Sequence, residues 1–109
     1  MAYDHDHYEM LARALGAMDG LSERNMFGGK FFMLHGNMLM GVVKSGVMAR
    51  VGPGGEEAAL ALPGVVKGPP SGRKMSGVVT VEAGLLDDRE ALDQLIALAV
   101  EFVGPMPAK

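Results

Sequence analysis

Short apolar segments separated by glycine-containing turns occupy the middle of this chain, and a segment with helical periodicity lies at each end. Apolar runs of four to eight residues have the length of β-strands. Glycine readily adopts the backbone conformations that tight turns require. The 16 glycines among 109 residues therefore predict a small sheet of short strands, accompanied by helices.

The terminal segments predict two amphipathic helices. Apolar residues recur at helical spacing from Tyr8 onward, which indicates a helix over residues 5–19, begun by Asp4 or Asp6 and ended by Gly20. The same spacing returns over residues 92–103. There Asp87 or Asp88 begins the helix, Gly104-Pro105 ends it, and the last few residues are expected to fray.

Between these helices the sequence predicts five strands and a short helix. The first strand covers residues 25–34. The glycine pair Gly28-Gly29 inside it indicates a bulge or a close approach of two backbones. The other predicted elements are strands 38–43 and 47–51, a helix at 56–62, and a hairpin of strands 65–67 and 75–82. The order α-β(3)-α-β(2)-α predicts a single two-layer α+β domain over residues 1–109, its mainly antiparallel sheet packed on one face by helices.

Composition excludes several classes of function. The chain has no cysteine, so disulfides, thiolate nucleophiles and cysteine-ligated metal sites are impossible. Its acidic beginning lacks the apolar stretch of a secretory signal, and no apolar run is long enough to span a membrane, so we expect a cytoplasmic protein. The net charge of −3 without a basic stripe argues against direct DNA binding by this domain.

No pattern of residues predicts catalysis or a cofactor. His35 lies in a predicted turn, with no serine or carboxylate placed beside it, so a catalytic triad is unsupported. The segment Asp4-His5-Asp6-His7 offers metal-ligand types, but capping of a helix explains the same residues. We therefore expect a non-enzymatic protein without a bound cofactor, and metal binding at residues 4–7 remains an open alternative.

Methionine is unusually frequent, with ten residues in the chain. Several methionines fall on the predicted strands. Because the methionine side chain adapts to irregular spaces, it fills cores and forms adaptable contact surfaces more often than it binds soft metals. The sequence therefore predicts a core or a partner surface that is rich in methionine.

Five basic residues form the candidate binding set. They fall at the ends and middles of predicted strands, where a small sheet could bring them together to hold an anion or an acidic partner. The alternative is that they are ordinary surface charges, paired with the thirteen acids. The set comprises Arg24, Lys30, Arg50, Arg73 and Lys74.

Several blocks in order resemble the TfoX/Sxy N-terminal domain family. They are residues 26–29, 32–39, 41–43, 47–52, 59–63 and 72–81, and the resemblance covers essentially the whole chain. It implies an α-β(3)-α-β(2)-α fold and a link to bacterial competence regulation, in which full-length members act with a cyclic-AMP-responsive activator. Those members carry a C-terminal helical domain, and we expect this chain to be a stand-alone N-terminal domain without one. Lys74, Val78 and residues 68–71 depart from the family pattern, and no established catalytic residues accompany it.

Two functional hypotheses follow. The first is a non-enzymatic protein-interaction or regulatory module, whose partner is a second copy, as in a homodimer, or a transcription regulator. The alternative is a small-molecule or anion-binding domain that uses the basic set, in which case charge reversal at Arg50 and Arg73 should abolish binding.

Overall fold

The computed structural model describes residues 3–26, 28–44, 46–69 and 76–108. Within these residues, six antiparallel strands form one sheet in the order β1-β2-β3-β4-β6-β5. The strands are β1 (Leu21–Met26), β2 (Gly29–Leu34), β3 (Asn37–Val43), β4 (Gly46–Arg50), β5 (Val65–Lys67) and β6 (Val78–Val81). The helices are α1 (His5–Leu15), α2 (Glu56–Leu60), α3 (Ala83–Leu86) and α4 (Arg89–Val103).

The main core lies between one face of the sheet and the helices. Helix α4 packs on β3 and β4, α2 packs on β5 and β6, and α1 packs against α3 and α4. Leu11, Phe32, Leu39, Val47 and Leu95 are all buried in this core, and each such side chain contributes about 1.5–3 kcal/mol of burial free energy. The predicted α+β class, with helices packed against an antiparallel sheet, is confirmed.

A second, smaller apolar cluster lies on the opposite face of the sheet. Its buried members are Phe31, Met33, Met48 and Val78, which are between 3% and 8% exposed. These residues alternate along their strands with residues of the main core, because successive side chains of a strand point to opposite faces. Met40 lies in the main core, so the strand methionines fill both clusters, as the core interpretation predicts.

The predicted strand over residues 25–34 is wrong, because this region forms two strands. Gly28 adopts a positive φ of 74° in the tight connection between β1 and β2, so the chain reverses here and no bulge forms. The alternative, a close backbone approach, is found at Gly29, where a Cβ atom would lie 2.5 Å from the carbonyl oxygen of Val42. Strand β1 was not predicted as a separate strand because four of its six residues are polar and exposed. The meander therefore contains four strands, and the predicted order of elements gains one strand.

The helices differ from the prediction at three points. Helix α2 ends at Leu60, two residues before the predicted end. Helix α1 ends at Leu15, because Gly16 adopts a φ of 61° and its N–H bonds to the carbonyl of Ala12. The one-turn helix α3 was not predicted. The helix caps were predicted. The Asp4 carboxylate accepts hydrogen bonds from the backbone N–H groups of Asp6 and His7, and Asp88 caps α4.

The residues after α4 pack on the domain, where fraying was predicted. Met106 contacts the main core, and the carbonyl of Pro107 accepts a hydrogen bond of 3.0 Å from the side chain of Asn37. Asn37 is only 3% exposed, so this bond satisfies a buried donor at the start of β3. None of the helices described has both the length and the apolar character needed to cross a membrane.

Candidate functional site

Strand β1 is an edge strand that is exposed on both faces. It pairs with β2 on one side, and its other side ends the sheet. Ser22, Glu23, Arg24 and Asn25 are all exposed, whereas every residue of β2 is buried except the half-buried Lys30. An edge strand of this kind presents backbone groups with which another chain can pair.

The backbone of Glu23 and Asn25 points away from the sheet. The N–H of His35 donates to the carbonyl of Gly20, and these two residues continue the β1–β2 register. Because hydrogen-bonded and non-hydrogen-bonded pairs alternate in an antiparallel ladder, the backbone of Ser22, Arg24 and Met26 bonds to β2. The N–H and C=O groups of Glu23 and Asn25 therefore face the free edge, where no backbone partner from the described chain meets them.

Glycines fix both ends of this edge. Gly20, at the start of β1, has a φ of 83°, and a side chain there would collide with the ring of His35. The N–H of Leu21 bonds to the carbonyl of Met18, which closes the turn from α1. At the other end Gly28 reverses the chain into β2. The edge therefore has a defined beginning and end.

An open depression flanks β1 at each end. The first has a volume of about 540 Å³ and includes Met18 and Leu21 among its lining residues. The second has a volume of about 320 Å³ and is lined by Tyr3, Met26 and the β1–β2 connection. Both depressions present half-buried apolar side chains directly beside the strand. Side chains that extend from an added strand could occupy them.

Helix α1 is joined to the edge by a three-residue polar contact. The Tyr8 hydroxyl donates a hydrogen bond of 2.7 Å to Glu23 Oε1, and Lys30 Nζ lies 3.8 Å from the same oxygen. Lys30 Nζ also lies 5.7 Å from the centroid of the Tyr8 ring, which stacks on Phe32. The hydrogen bond to Glu23, with smaller contributions from burial and from the charge of Glu23, raises the pKa of Tyr8 to about 12. The contact fixes the Glu23 side chain on the helix-covered face.

The described members of the predicted basic set, Arg24, Lys30 and Arg50, are distributed over the sheet. Arg24 lies on β1 and Lys30 on the neighbouring strand β2, with their side chains on opposite faces of the sheet. Lys30 pairs with Asn25, which follows Arg24 and therefore points to the other face. Arg50 lies on β4, three strands and about 14 Å from β1. Its guanidinium lies 5.5 Å from the centroid of the Phe102 ring and donates a 3.5 Å hydrogen bond to the Met38 carbonyl. Arg73 and Lys74 lie outside the described residues.

The histidines near the N-terminus take part in helix contacts. His5 Nε2 lies 3.4 Å from Glu9 Oε1, and His7 Nε2 lies 3.7 Å from Asp4 Oδ2. Each contact joins one histidine to one carboxylate. In the part of the chain that the structure covers, no group of three such side chains is arranged to hold a metal ion.

Sequence reasoning found Arg24 and Lys30 but missed the other residues of the edge. Ser22, Glu23 and Asn25 belong to a run without the apolar alternation that indicates a half-buried strand. The available signal was the seven-residue segment between Gly20 and Gly28, which has the length of a strand.

Comparison with known proteins places this fold in a family. The family model that describes the TfoX N-terminal domain matches residues 13–103 of the 109-residue chain. The chain belongs to the TfoX N-terminal domain family. Searches of curated proteins and of solved structures gave no match. The matched range of the TfoX N-terminal domain includes all six strands of the sheet, and therefore the complete β1 edge.

Proposed function

We propose that this TfoX N-terminal domain is a non-enzymatic regulatory module of the bacterial cytoplasm, which binds a protein partner by adding an extended segment of that partner to β1. The observation that carries the proposal is the free edge of β1, which is exposed on both faces and directs backbone donors and acceptors outward. A segment that adds to such an edge forms main-chain hydrogen bonds with it, which provide affinity. Depressions beside the edge provide specificity, because they accept some side chains of the added segment and not others.

The use of the ionisable side chains supports binding over catalysis. Glu23 is engaged by Tyr8 and Lys30, Arg50 lies over Phe102, and Asp4 caps α1. These contacts hold elements of the domain together. The edge, in contrast, exposes backbone groups, which recognise another backbone and supply no nucleophile or base. An interaction role in competence regulation is consistent with both features.

The arrangement of the basic residues favours protein binding over an anion pocket. An anion site draws several cations to one point. Here Lys30 is paired with Glu23, and Arg50 lies three strands from Arg24. Among the members of the predicted set that the structure describes, Arg24 is thus the cation that lies directly on the free edge.

A proline substitution tests the proposal at a single N–H group. In Asn25→Pro, the ring removes the outward-facing donor but no hydrogen bond to β2, so the sheet should persist while strand addition is blocked. Asn25→Ala is the matched control, because it removes the same side chain and keeps the N–H. Amide NMR spectra of β2 and β3 should be the same in both variants.

Binding is measured for two candidate partners, a second copy and the cyclic-AMP-responsive activator of the same cell. We expect a complex in sedimentation or titration experiments with one of them, weakened at least about tenfold by Asn25→Pro and unchanged by Asn25→Ala. A monomer that binds neither partner, or a complex that Asn25→Pro leaves intact, would contradict the proposal.

A further inference from the structure

The side chains of β1 carry a charge pattern that narrows the choice of partner; this inference rests on the strand addition proposed above. Glu23 and Arg24 are adjacent, so they lie on opposite faces of the sheet. Glu23 is held by Tyr8 and Lys30 on the face that the helices cover. Arg24 is exposed on the other face and makes no ion pair with any residue that the structure describes.

This pattern disfavours pairing between two copies of β1. Only Leu21, Glu23 and Asn25 direct backbone groups outward, and the N–H of Leu21 is already bonded to Met18. An antiparallel pair of β1 strands must therefore bond through the carbonyl of Leu21 and the N–H and C=O groups of Glu23 and Asn25. Of the two registers that pair most of the strand, one sets Glu23 directly opposite Glu23 of the second copy. The other sets Arg24 opposite Arg24. Like charges directly opposite each other are destabilising, so each register carries a penalty.

A partner strand with the complementary pattern avoids both penalties. A basic residue opposite Glu23 and an acidic residue opposite Arg24 each form a cross-strand pair of opposite charge. In an antiparallel strand, the residue that faces Arg24 comes directly before the residue that faces Glu23. The favoured segment therefore contains an acidic residue followed immediately by a basic one.

The two depressions define the ends of the segment. The residue two positions after the basic residue lies opposite Leu21, beside the depression that Met18 also lines. The residue two positions before the acidic residue lies opposite Met26, beside the depression that Tyr3 lines. Apolar side chains at these two positions would cover half-buried apolar surface. The complete pattern is apolar, any residue, acidic, basic, any residue, apolar.

We propose that β1 binds an extended segment of a different protein with this pattern, in antiparallel orientation and with its acidic residue opposite Arg24. Specificity arises because the charges reject a second copy and accept the complementary order. The six positions of the pattern match the six residues of β1.

The experiment uses blocked peptides and a charge exchange. The first peptide is Leu-Thr-Glu-Lys-Thr-Leu, and in the second its glutamate is replaced by lysine. Binding to the intact domain is followed by NMR at low salt, through the amide shifts of Glu23 and Asn25. The net charge of −3 attracts the more basic peptide at long range, so tighter binding of the first peptide would isolate the local contact with Arg24.

We expect the first peptide to bind about two- to fivefold more tightly than the second, which is the range of an exposed charge pair. Arg24→Glu should reverse this order. Arg13→Glu should preserve it, because this control makes the same charge change at an exposed position on α1. The second peptide should also bind Arg24→Glu more tightly than it binds the unaltered domain, a gain of binding that misfolding could not produce.

Two results would overturn the inference. Equal binding of both peptides at β1 would refute the charge pattern while supporting strand addition as such. Failure of both peptides to bind would refute the proposed segment, while the Asn25→Pro comparison with the protein partners would still decide the proposed function separately.

Discussion

At Gly41 the sheet has no room for a side chain. A Cβ atom at this position would lie 2.5 Å from Cδ1 and 2.6 Å from Cε1 of Phe31, whose ring covers the glycine on the face opposite the helices. Phe31 is only 3% exposed and is surrounded by Met33 and Met48, so its ring cannot move without disturbing its neighbours. The φ of Gly41 is not positive, so its backbone conformation does not require glycine. Glycine is required at this position because the Phe31 ring occupies the space of a side chain.

Gly41→Ala should therefore lower the free energy of unfolding by about 1–3 kcal/mol, the usual cost of overpacking a filled cluster. Gly54→Ala is the matched control, because no atom lies within 4 Å of the added Cβ and φ is again not positive. It should change stability by less than about 0.5 kcal/mol. Urea unfolding measures both values, and equal stability of the two variants would show that Phe31 does not require Gly41.

At the scale of elements, the contact between α1 and β1 depends on a neutral tyrosine. The Tyr8 hydroxyl donates to Glu23, and this bond, together with burial and the nearby negative charge, raises the pKa of Tyr8 to about 12. In the unfolded chain the phenol titrates near its ordinary value of 10. The stabilisation is therefore complete below pH 10 and is lost as the pH rises toward 12.

The titration can be assigned to Tyr8, because the chain has only two tyrosines. In Tyr3→Phe, the absorbance of tyrosinate should report a pKa near 12. Adding Glu23→Gln should lower the pKa, since glutamine still accepts a hydrogen bond but carries no charge. A phenol that titrates near 10 in the Tyr3→Phe variant would show that the Tyr8–Glu23 contact is absent in solution.

The same scale shows which parts of the fold a sequence can predict. Strands β3 and β4 and helix α4 were predicted because burial of one or both faces imposes a strong apolar pattern. Strand β1 was not, because both of its faces are exposed and it has no such pattern. The end of α1 was misplaced because Met18 continues the helical spacing beyond Gly16, although the backbone of Gly16 has already left the helix.

The candidate site was therefore the part of the molecule that sequence predicted least completely. Arg24 and Lys30 were identified by charge, but whether two residues share a sheet face depends on strand register. That register depends on the connection at Gly28, which was interpreted as a bulge or a close backbone approach. The docking of Pro107 on Asn37 was likewise hidden, since it joins residues 70 positions apart.

At the scale of the whole molecule, the two apolar clusters share the same strands. Along β2, Phe31 and Met33 point into the smaller cluster, while Phe32 and Leu34 point into the main core. Neither cluster can form unless the central strands are paired, and those strands are stabilised by both clusters. We therefore expect the domain to unfold in one cooperative transition, as small domains usually do.

Calorimetry provides the measurement. At about 0.7 kcal/mol per residue, the unfolding enthalpy of the 109 residues should be about 75 kcal/mol and should equal the van't Hoff enthalpy. Gly41→Ala, which perturbs only the smaller cluster directly, should move the entire transition to a lower temperature, by about 4 °C for each kcal/mol lost. A variant in which part of the heat absorption shifts and the rest stays at the original temperature would mean that the methionine-rich cluster melts separately from the helix-covered core.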